Sequence, residues 1–462
     1  MSRILYPNFG AEENRDAKRA VPELLHLLSL WQGLFPDDTT VHLPLETFPP
    51  GTIPLAPAAV RTGAPDAFDG ALLPAADLAN ATKVTDAMAG SGRAMGPSRS
   101  TRLWERLADT GGIVAWYPSA RAEEYAKTRG VRLAFATPDI ASRLHDKASC
   151  VRWLERWERL PRSIRKSSEG TGDELGMAVG RDVPTGWRPS VLDPEDLRRP
   201  DAAEVIAHLV AGWDAACRDA FVLKPRFGTS GRGRVRGDSL PLGESIRRAL
   251  PRLADRGGAV LEPWFQRLDD LSAQFWVEPD GSVTCLGTTR QVLGENGIYL
   301  GNRGEVDLHP RSTVGPGLLA PTVTSGSPWD TEFRAIATCF VTDAAATGFR
   351  GPCGVDGFAY RDSRGEERLR PLVECNARFT AGTIAVAWLS EVLASRGVAS
   401  GAGSGVPGEQ SEWWFAPFPT HARRLLGARG VPNPNEGWEL TCLEAADDGA
   451  ILGLRPARGG DR

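Results

Sequence analysis

Residues 271–291, LSAQFWVEPDGSVTCLGTTRQ, read as two apolar strands meeting at Pro279-Asp280-Gly281. That turn sequence folds a chain back on itself as an antiparallel hairpin. A second hairpin is expected over 353–378, CGVDGFAYRDSRGEERLRPLVECNAR, turning at RDSRGEE. Antiparallel ladders therefore dominate the later part of the chain. The early part differs. RILYPN (3–8) and GGIVAWYPS (111–119) read as strands, ARAEEYAKTRG (120–130) as a helix ended by glycine, and VRLAFATP (131–138) as a further strand. Strand, helix and strand with short connections predict a βαβ unit on a parallel sheet. One chain carrying both kinds of ladder is an α/β protein of several parts.

Length agrees, because 462 residues exceed what one compact core holds and predict roughly two to four lobes. A 41% hydrophobic and 24% charged composition with net charge -4 describes a mildly acidic globular protein, without the basic excess that a nucleic-acid partner calls for. The start lacks a basic-then-apolar signal, and no run approaches the ~20 apolar residues that span a bilayer. A cytoplasmic protein with no membrane partner is expected. Seven cysteines, odd in number and without a C-x-x-C pair, argue against a disulfide framework and against zinc. Cys353 and Cys375 flank the motifs below and read as packing residues.

Further elements follow from pattern. Residues 17–35 have helical apolar spacing with Pro22 in the first turn, and 36–100 are rich in Pro, Gly and Ala with weak periodicity. Residues 139–157 predict a helix with Asp139 as N-cap, and 201–220 another. AFVLKP (220–225) is a strand, a helix carries apolar residues at 246, 249, 250 and 253, and AVLEPWF (259–265) is a strand. Residues 396–411 form a Gly/Ser linker before EWWFAPF. Within it GSGVPG matches G-x-G-x-x-G by letter, yet no strand precedes it and Pro407 stands where a helix would begin, so it reads as linker. A G-x-x-x-x-G-K-[ST] loop is absent.

Two stretches carry chemistry. The strand AFVLKP delivers Lys224 into RFGTSGRGR, with glycines at 228, 231 and 233. Glycines permit positive φ and close backbone approach, and their N–H groups can cradle an anion. Only six of the 54 basic residues are lysines, so each lysine is a choice of a compact ammonium over a guanidinium. In LVECNAR, Glu374 and Asn376 lie two apart on a strand and share a face, and Asp356 on the preceding strand can reach the same space. Two carboxylates and an amide oxygen suit Mg²⁺ shared with phosphates. Any one of these acids alone would read as solvated; the trio beside a lysine and a glycine loop does not.

In order, VLKPRFGTSGRG, VLEPWF, GVDGF and ECNARFTAG resemble the ATP-grasp superfamily of carboxylate–amine ligases over about residues 140–395. The resemblance implies an N-terminal βαβ pre-grasp domain (1–139) and a two-lobed α+β ATP-grasp domain (140–258 with the glycine loop, 259–395 with the metal site). The linker (396–411) and a small C-terminal segment (412–462) complete the chain. It implies ATP as cosubstrate and Mg²⁺ as cofactor, with Lys147 and Lys224 on the phosphates and the loop with Gly228, Ser230, Gly231 and Gly233 folded over them. Glu262, with backbone at Trp264 and Phe265, would meet the adenine, and Asp269 or Asp270 the ribose. Asp356, Glu374 and Asn376 would hold the metal. Arg378 and Arg290 suit the transferring phosphoryl group. LGENGIYLGNRGE (293–305) is expected as a glycine-hinged loop over the site, with Arg303 a further candidate. The family often has an arginine two residues before its first metal aspartate; Gly354 stands there, and Arg290 is the expected substitute. The implied reaction joins a carboxylate and an amine, of an amino acid or small peptide, into an amide through an acyl phosphate, releasing ADP and phosphate. Small-molecule kinase activity on the same fold, or a module that holds ATP without turnover, remain alternatives, and a homodimer is the family expectation.

Overall fold

The computed structural model describes residues 4–8, 27–28, 30–31, 34–35, 40–41, 112–159, 186–228, 231–238, 240–294, 299–307, 322–362, 364–395, 410–417, 439–442 and 451–456. Most of the helix expected over 17–35, nearly all of 36–100, Ser230, residues 295–298 and the linker over 396–409 lie outside the described residues.

Three sheets carry the described chain. Strands β1 (Ile4–Tyr6), β2 (Thr40–Val41) and β3 (Ile113–Ala115) form a parallel sheet in the order β2-β1-β3. Helix α1 (Ala120–Thr128) follows, capped by Ser119, whose side chain accepts from Ala122 N–H. The strand expected over 131–138 is reduced to a parallel bridge of Leu133 to Ile113. Its backbone leaves the sheet almost at once: Ala136 N–H donates to the Arg350 carbonyl, and Pro138 opens the next helix.

The single helix expected over 139–157 is two, α2 (Pro138–His145) and α3 (Lys147–Arg159), and α2 is capped at Thr137, not Asp139. Asp146 makes the break. It leaves the helical region at ψ 114, and its carboxylate accepts from Ala148 N–H at 2.9 Å, which caps α3. Lys147 is therefore the first residue of a helix.

The second sheet has the order β4-β7-β5-β6, antiparallel throughout, from β4 (Ser190–Leu192), β5 (Phe221–Pro225), β6 (Val235–Gly237) and β7 (Ala259–Pro263). Helices α4 (Pro194–Arg198), α5 (Ala202–Ala211) and α6 (Glu244–Asp255) accompany it. Ile246, Ala249, Leu250 and Leu253 of α6 are buried, as their spacing predicts. Ile246, Leu250 and Leu253 share a core with Phe221, Leu223 and Leu261.

The third sheet has nine strands. Its main path is β13 (Glu367–Asn376), β12 (Gly351–Arg361), β8 (Gln266–Val277), β9 (Val283–Leu293), β10 (Tyr299–Asp307), β14 (Gln410–Ala416), β16 (Ile451–Pro456) and β15 (Glu439–Cys442), with β11 (Thr322–Thr324) paired to β10. Helices α7 (Asp330–Ala346) and α8 (Ala381–Ser395) pack against it. Both expected hairpins are present, β8–β9 and β12–β13. Two findings differ from the sequence reading. Residues 299–305 are strand β10, not a hinged loop, and Gly304 serves close packing: a Cβ there would collide with the Thr324 carbonyl and with Trp413. EWWFA (412–416) does not stand apart either; it belongs to β14, hydrogen-bonded along β10. One core cluster runs from Trp31 and Trp116 through Phe379 to Trp153, Phe340 and Trp413, so the parallel sheet and the nine-stranded sheet share an interior.

Candidate functional site

Lys224 lies on β5 and Glu262 on the adjacent β7; both side chains are buried and form an ion pair. Burial pulls the Lys224 pKa down, against the opposing pull of Glu262. Burial also works against an ionised Glu262, yet the charge of Lys224 holds it below the usual carboxylate range. Lys147 reaches across from α3: its Nζ donates to the Gly228 carbonyl at 2.7 Å and pairs with Glu374 at 2.8 Å. Lys147 thus joins the loop to the β13 carboxylate, and Lys224 lies close enough to lower Glu374 as well.

The loop closes the β5–β6 hairpin, where Leu223 pairs with Val235. Gly231 and Gly233 adopt φ +68° and +76°, the left-handed region that side chains disfavour. Its base is tied to the helix break. Arg226 grips Asp146 with two nitrogens of its guanidinium and Asp193 with the third, while Lys147 N–H donates to the Arg226 carbonyl. Asp146 adjoins Lys147 and Arg226 follows Lys224 by two, so this fork sets the two lysines relative to each other. Trp264 N–H is committed to the Ala220 carbonyl at 2.8 Å.

On the nine-stranded sheet the register pairs Asp356 with Glu374 on one side and Ser272 on the other, and Gly354 with Asn376. Paired residues share a face, so the trio converges. Asn376 Nδ2 donates to Asp356 at 3.0 Å and lies 3.4 Å from Glu374 Oε1; its Oδ1 accepts from Arg378 at 3.2 Å. Ser272 Oγ and Gln291 Nε2 donate to Asp356 Oδ1 at 2.6 and 3.0 Å. Burial, and then the neighbouring charge of Glu374, push the Asp356 carboxyl up to about 8. Burial raises Glu374 as well, but Lys147 outweighs it and holds Glu374 low. Two half-buried carboxylates, one of them reluctant to ionise, are what a divalent cation relieves, and the donors are all oxygen once the Asn376 amide turns over. Among the described residues no group of three or more His, Cys, Asp or Glu comes together, so a cation here would draw further ligands from Asn376 and from substrate oxygens.

Arg378 joins this cluster, its guanidinium 5.8 Å over the Trp116 ring and donating to the Phe379 carbonyl at 2.7 Å. Arg290 does not. It pairs with Leu271, which pairs with Gly357, and strand alternation puts it on the face opposite Asp356. There it binds the Gly326 carbonyl and lies 3.5 Å from Asp269, which also accepts from Ser327. Arg303, its cross-strand neighbour, shares that face. Asp269 pairs with Ala359 on the same far side, whereas Asp270 pairs with Phe358 and Gln291 on the side of Asp356, Glu374 and Asn376. Pattern reading missed Asp146, Arg226, Ser272, Gln274 and Gln291. A signal existed for two of these: Ser272 and Gln274 alternate with apolar residues in LSAQFWV, a polar stripe inside a buried strand. His145, also missed, is fully buried beside this cluster, and burial, then the charges of Lys147 and Arg378, lower it to about 3, leaving a neutral imidazole.

No protein-family model matches the chain, and no curated protein matches it. Solved structures do. The chain is similar to N5-carboxyaminoimidazole synthetase from Staphylococcus aureus complexed with ADP, at 12% identity over 75% of this chain and 76% of that one, TM-score 0.38. It is similar to carboxyaminoimidazole ribonucleotide synthase from Aspergillus clavatus complexed with ATP, at 13% identity over 98% and 93%, TM-score 0.42. It is similar to D-alanyl-alanine synthetase A from Vibrio cholerae, at 10% identity over 85% and 98%, TM-score 0.41.

Proposed function

We propose that this chain is an ATP-grasp carboxylate–amine ligase that forms an amide through an acyl phosphate and releases ADP and phosphate. The observation that supports it most is the convergence of Lys147, Asp356, Glu374, Asn376 and Arg378 upon one half-buried polar cluster, with the Lys224–Glu262 ion pair close enough to act on Glu374. Lys147, Lys224 and the N–H groups of the glycine loop bind the nucleotide phosphates and offset their charge. Asp356, Glu374 and Asn376 hold Mg²⁺, which when bound supplies further neutralisation of the β- and γ-phosphates. Arg378 orients the substrate carboxylate as its oxygen takes the γ-phosphoryl group and ADP leaves. The amine then attacks the acyl carbon, the C–O bond to phosphate breaks, and phosphate departs with the amide formed. Positioning and electrostatics carry these steps without a thiol: burial raises Cys150 to about 12 and Cys285 to about 11, and a hydrogen bond with Cys353, then burial, raise Cys375 well above its usual value. Asp270 is the better-placed acid for the ribose, and the substrates are an amino acid or small peptide.

The test incubates the protein with Mg-ATP, pooled amino acids and hydroxylamine, and measures ADP, AMP and hydroxamates together. ADP with a hydroxamate is expected, and it names the carboxylate. ADP with a phosphorylated product and no hydroxamate would replace the ligase by a kinase, and AMP would overturn both.

A further inference from the structure

Gln274 is fully buried on β8, two residues from Ser272 and directly opposite Gly354. Its amide is held at both ends. Thr380 Oγ1 and Thr383 Oγ1 donate to Oε1 at 2.6 and 3.0 Å, and Nε2 donates to Ser272 Oγ at 2.7 Å. The threonines are themselves fixed at the start of α8, where Thr383 N–H donates to Thr380 Oγ1 at 3.0 Å and Thr380 N–H to Thr383 Oγ1 at 3.3 Å. This is a reciprocal cap of the helix. The surrounding backbone is shaped to admit the amide: a Cβ on Gly382 would lie 2.6 Å from Gln274 Nε2, and one on Gly354 2.9 Å from Thr380 Cγ2 and 3.2 Å from Gln274 Oε1.

The polarity of this chain has a consequence. A serine hydroxyl has one proton to give, and because Ser272 Oγ accepts from an amide N–H, that proton is directed at Asp356 Oδ1. With the amide reversed, its oxygen would take the Ser272 proton and Asp356 would lose a donor. We infer that Gln274 is a positioning residue for the metal carboxylate Asp356, acting through Ser272 and oriented by Thr380 and Thr383. The inference rests on the ligase reading above for the role of Asp356. Gln274 fixes which oxygen of Asp356 is tied back to the strand and leaves the other, which Asn376 Nδ2 contacts, for the cation.

Gln274→Glu tests it, because a carboxylate at 274 accepts the Ser272 proton. Mn²⁺ affinity in the presence of nucleotide, read by electron paramagnetic resonance, is expected to fall ten- to a hundred-fold. Metal-free nucleotide binding and melting temperature in EDTA report whether the fold survives. Should the buried carboxylate prevent folding, Gln274→Met removes the donor without adding charge and carries the same expectation. Ser272→Ala should reproduce the loss, and combining it with Gln274→Met should add nearly nothing, since both act on one chain of bonds. A folded Gln274 variant within twofold of the native Mn²⁺ affinity, or losses that multiply in the double variant, would overturn the assignment. If Asp356→Asn lowers Mn²⁺ affinity and Gln274→Met does not, only the role of Gln274 falls. If the native protein binds no Mn²⁺ with nucleotide, the ligase reading falls first and takes this one with it.

Discussion

Asp356 stands in an environment that favours its neutral form, and that has a measurable cost. Its folded value, about 8, lies above the ordinary 3.8, so between those limits the folded protein binds a proton that the unfolded chain has released. The contribution of this residue therefore falls as pH rises from about 4 through 8. Asp356→Asn removes the repulsion with Glu374: calorimetry at pH 8 without metal should show a higher melting temperature than the native protein, and the gain should vanish near pH 4. The same variant should lose turnover, a trade of stability for function that is common where carboxylates are crowded to hold a metal. Glu374→Gln should likewise abolish turnover while metal-free nucleotide binding, followed by fluorescence titration, changes little. Lys147 offers a contrast of sign. It neutralises Glu374, so Lys147→Gln should tighten Mn²⁺ binding alone severalfold and weaken ATP binding tenfold or more, both readable by calorimetric titration.

The break between α2 and α3 and the loop after β5 behave as one unit because Arg226 joins them. Asp146→Ala strips Arg226 of its bidentate partner and α3 of its cap, with the Arg226 side chain only 14% exposed. Loss of about 3 kcal/mol of stability is expected from chemical denaturation, together with a raised KM for ATP. Residue patterns show the glycine loop but neither the helix break nor the bond between the two, since Asp146 and Arg226 read separately as a polar residue in a helix and a charge in a loop. The same limit explains what else could and could not be read from the chain. Strands β8, β9, β12 and β13 announce themselves through Pro-Asp-Gly and through alternation, and the spacing of Glu374 and Asn376 already puts them on one face. The side on which Arg290 lies is another matter: it depends on the register across the β8–β9 hairpin, which local sequence leaves open, and one step moves an arginine to the other face. Strand β10 is hidden because Gly301 and Gly304 resemble hinges, while the reason for Gly304 is the closeness of Thr324 and Trp413, far along the chain.

Across the whole molecule, the nine-stranded sheet is built from distant parts of the chain: β8–β10 and β12–β13 lie between residues 266 and 376, and β14 and β16 between residues 410 and 456. The buried rings of Trp413 and Phe415 belong to the same core as Trp31 and Phe379. A fragment ending at residue 395 would keep every proposed site residue and still uncover the flank of β10, where Asn302 to Asp307 now pair with Gln410 to Phe415. Bare backbone donors and acceptors along such a margin recruit other chains. Expressed alone, residues 1–395 should therefore accumulate in the insoluble fraction, and adding the missing strands in trans as a separate peptide should return it to solution.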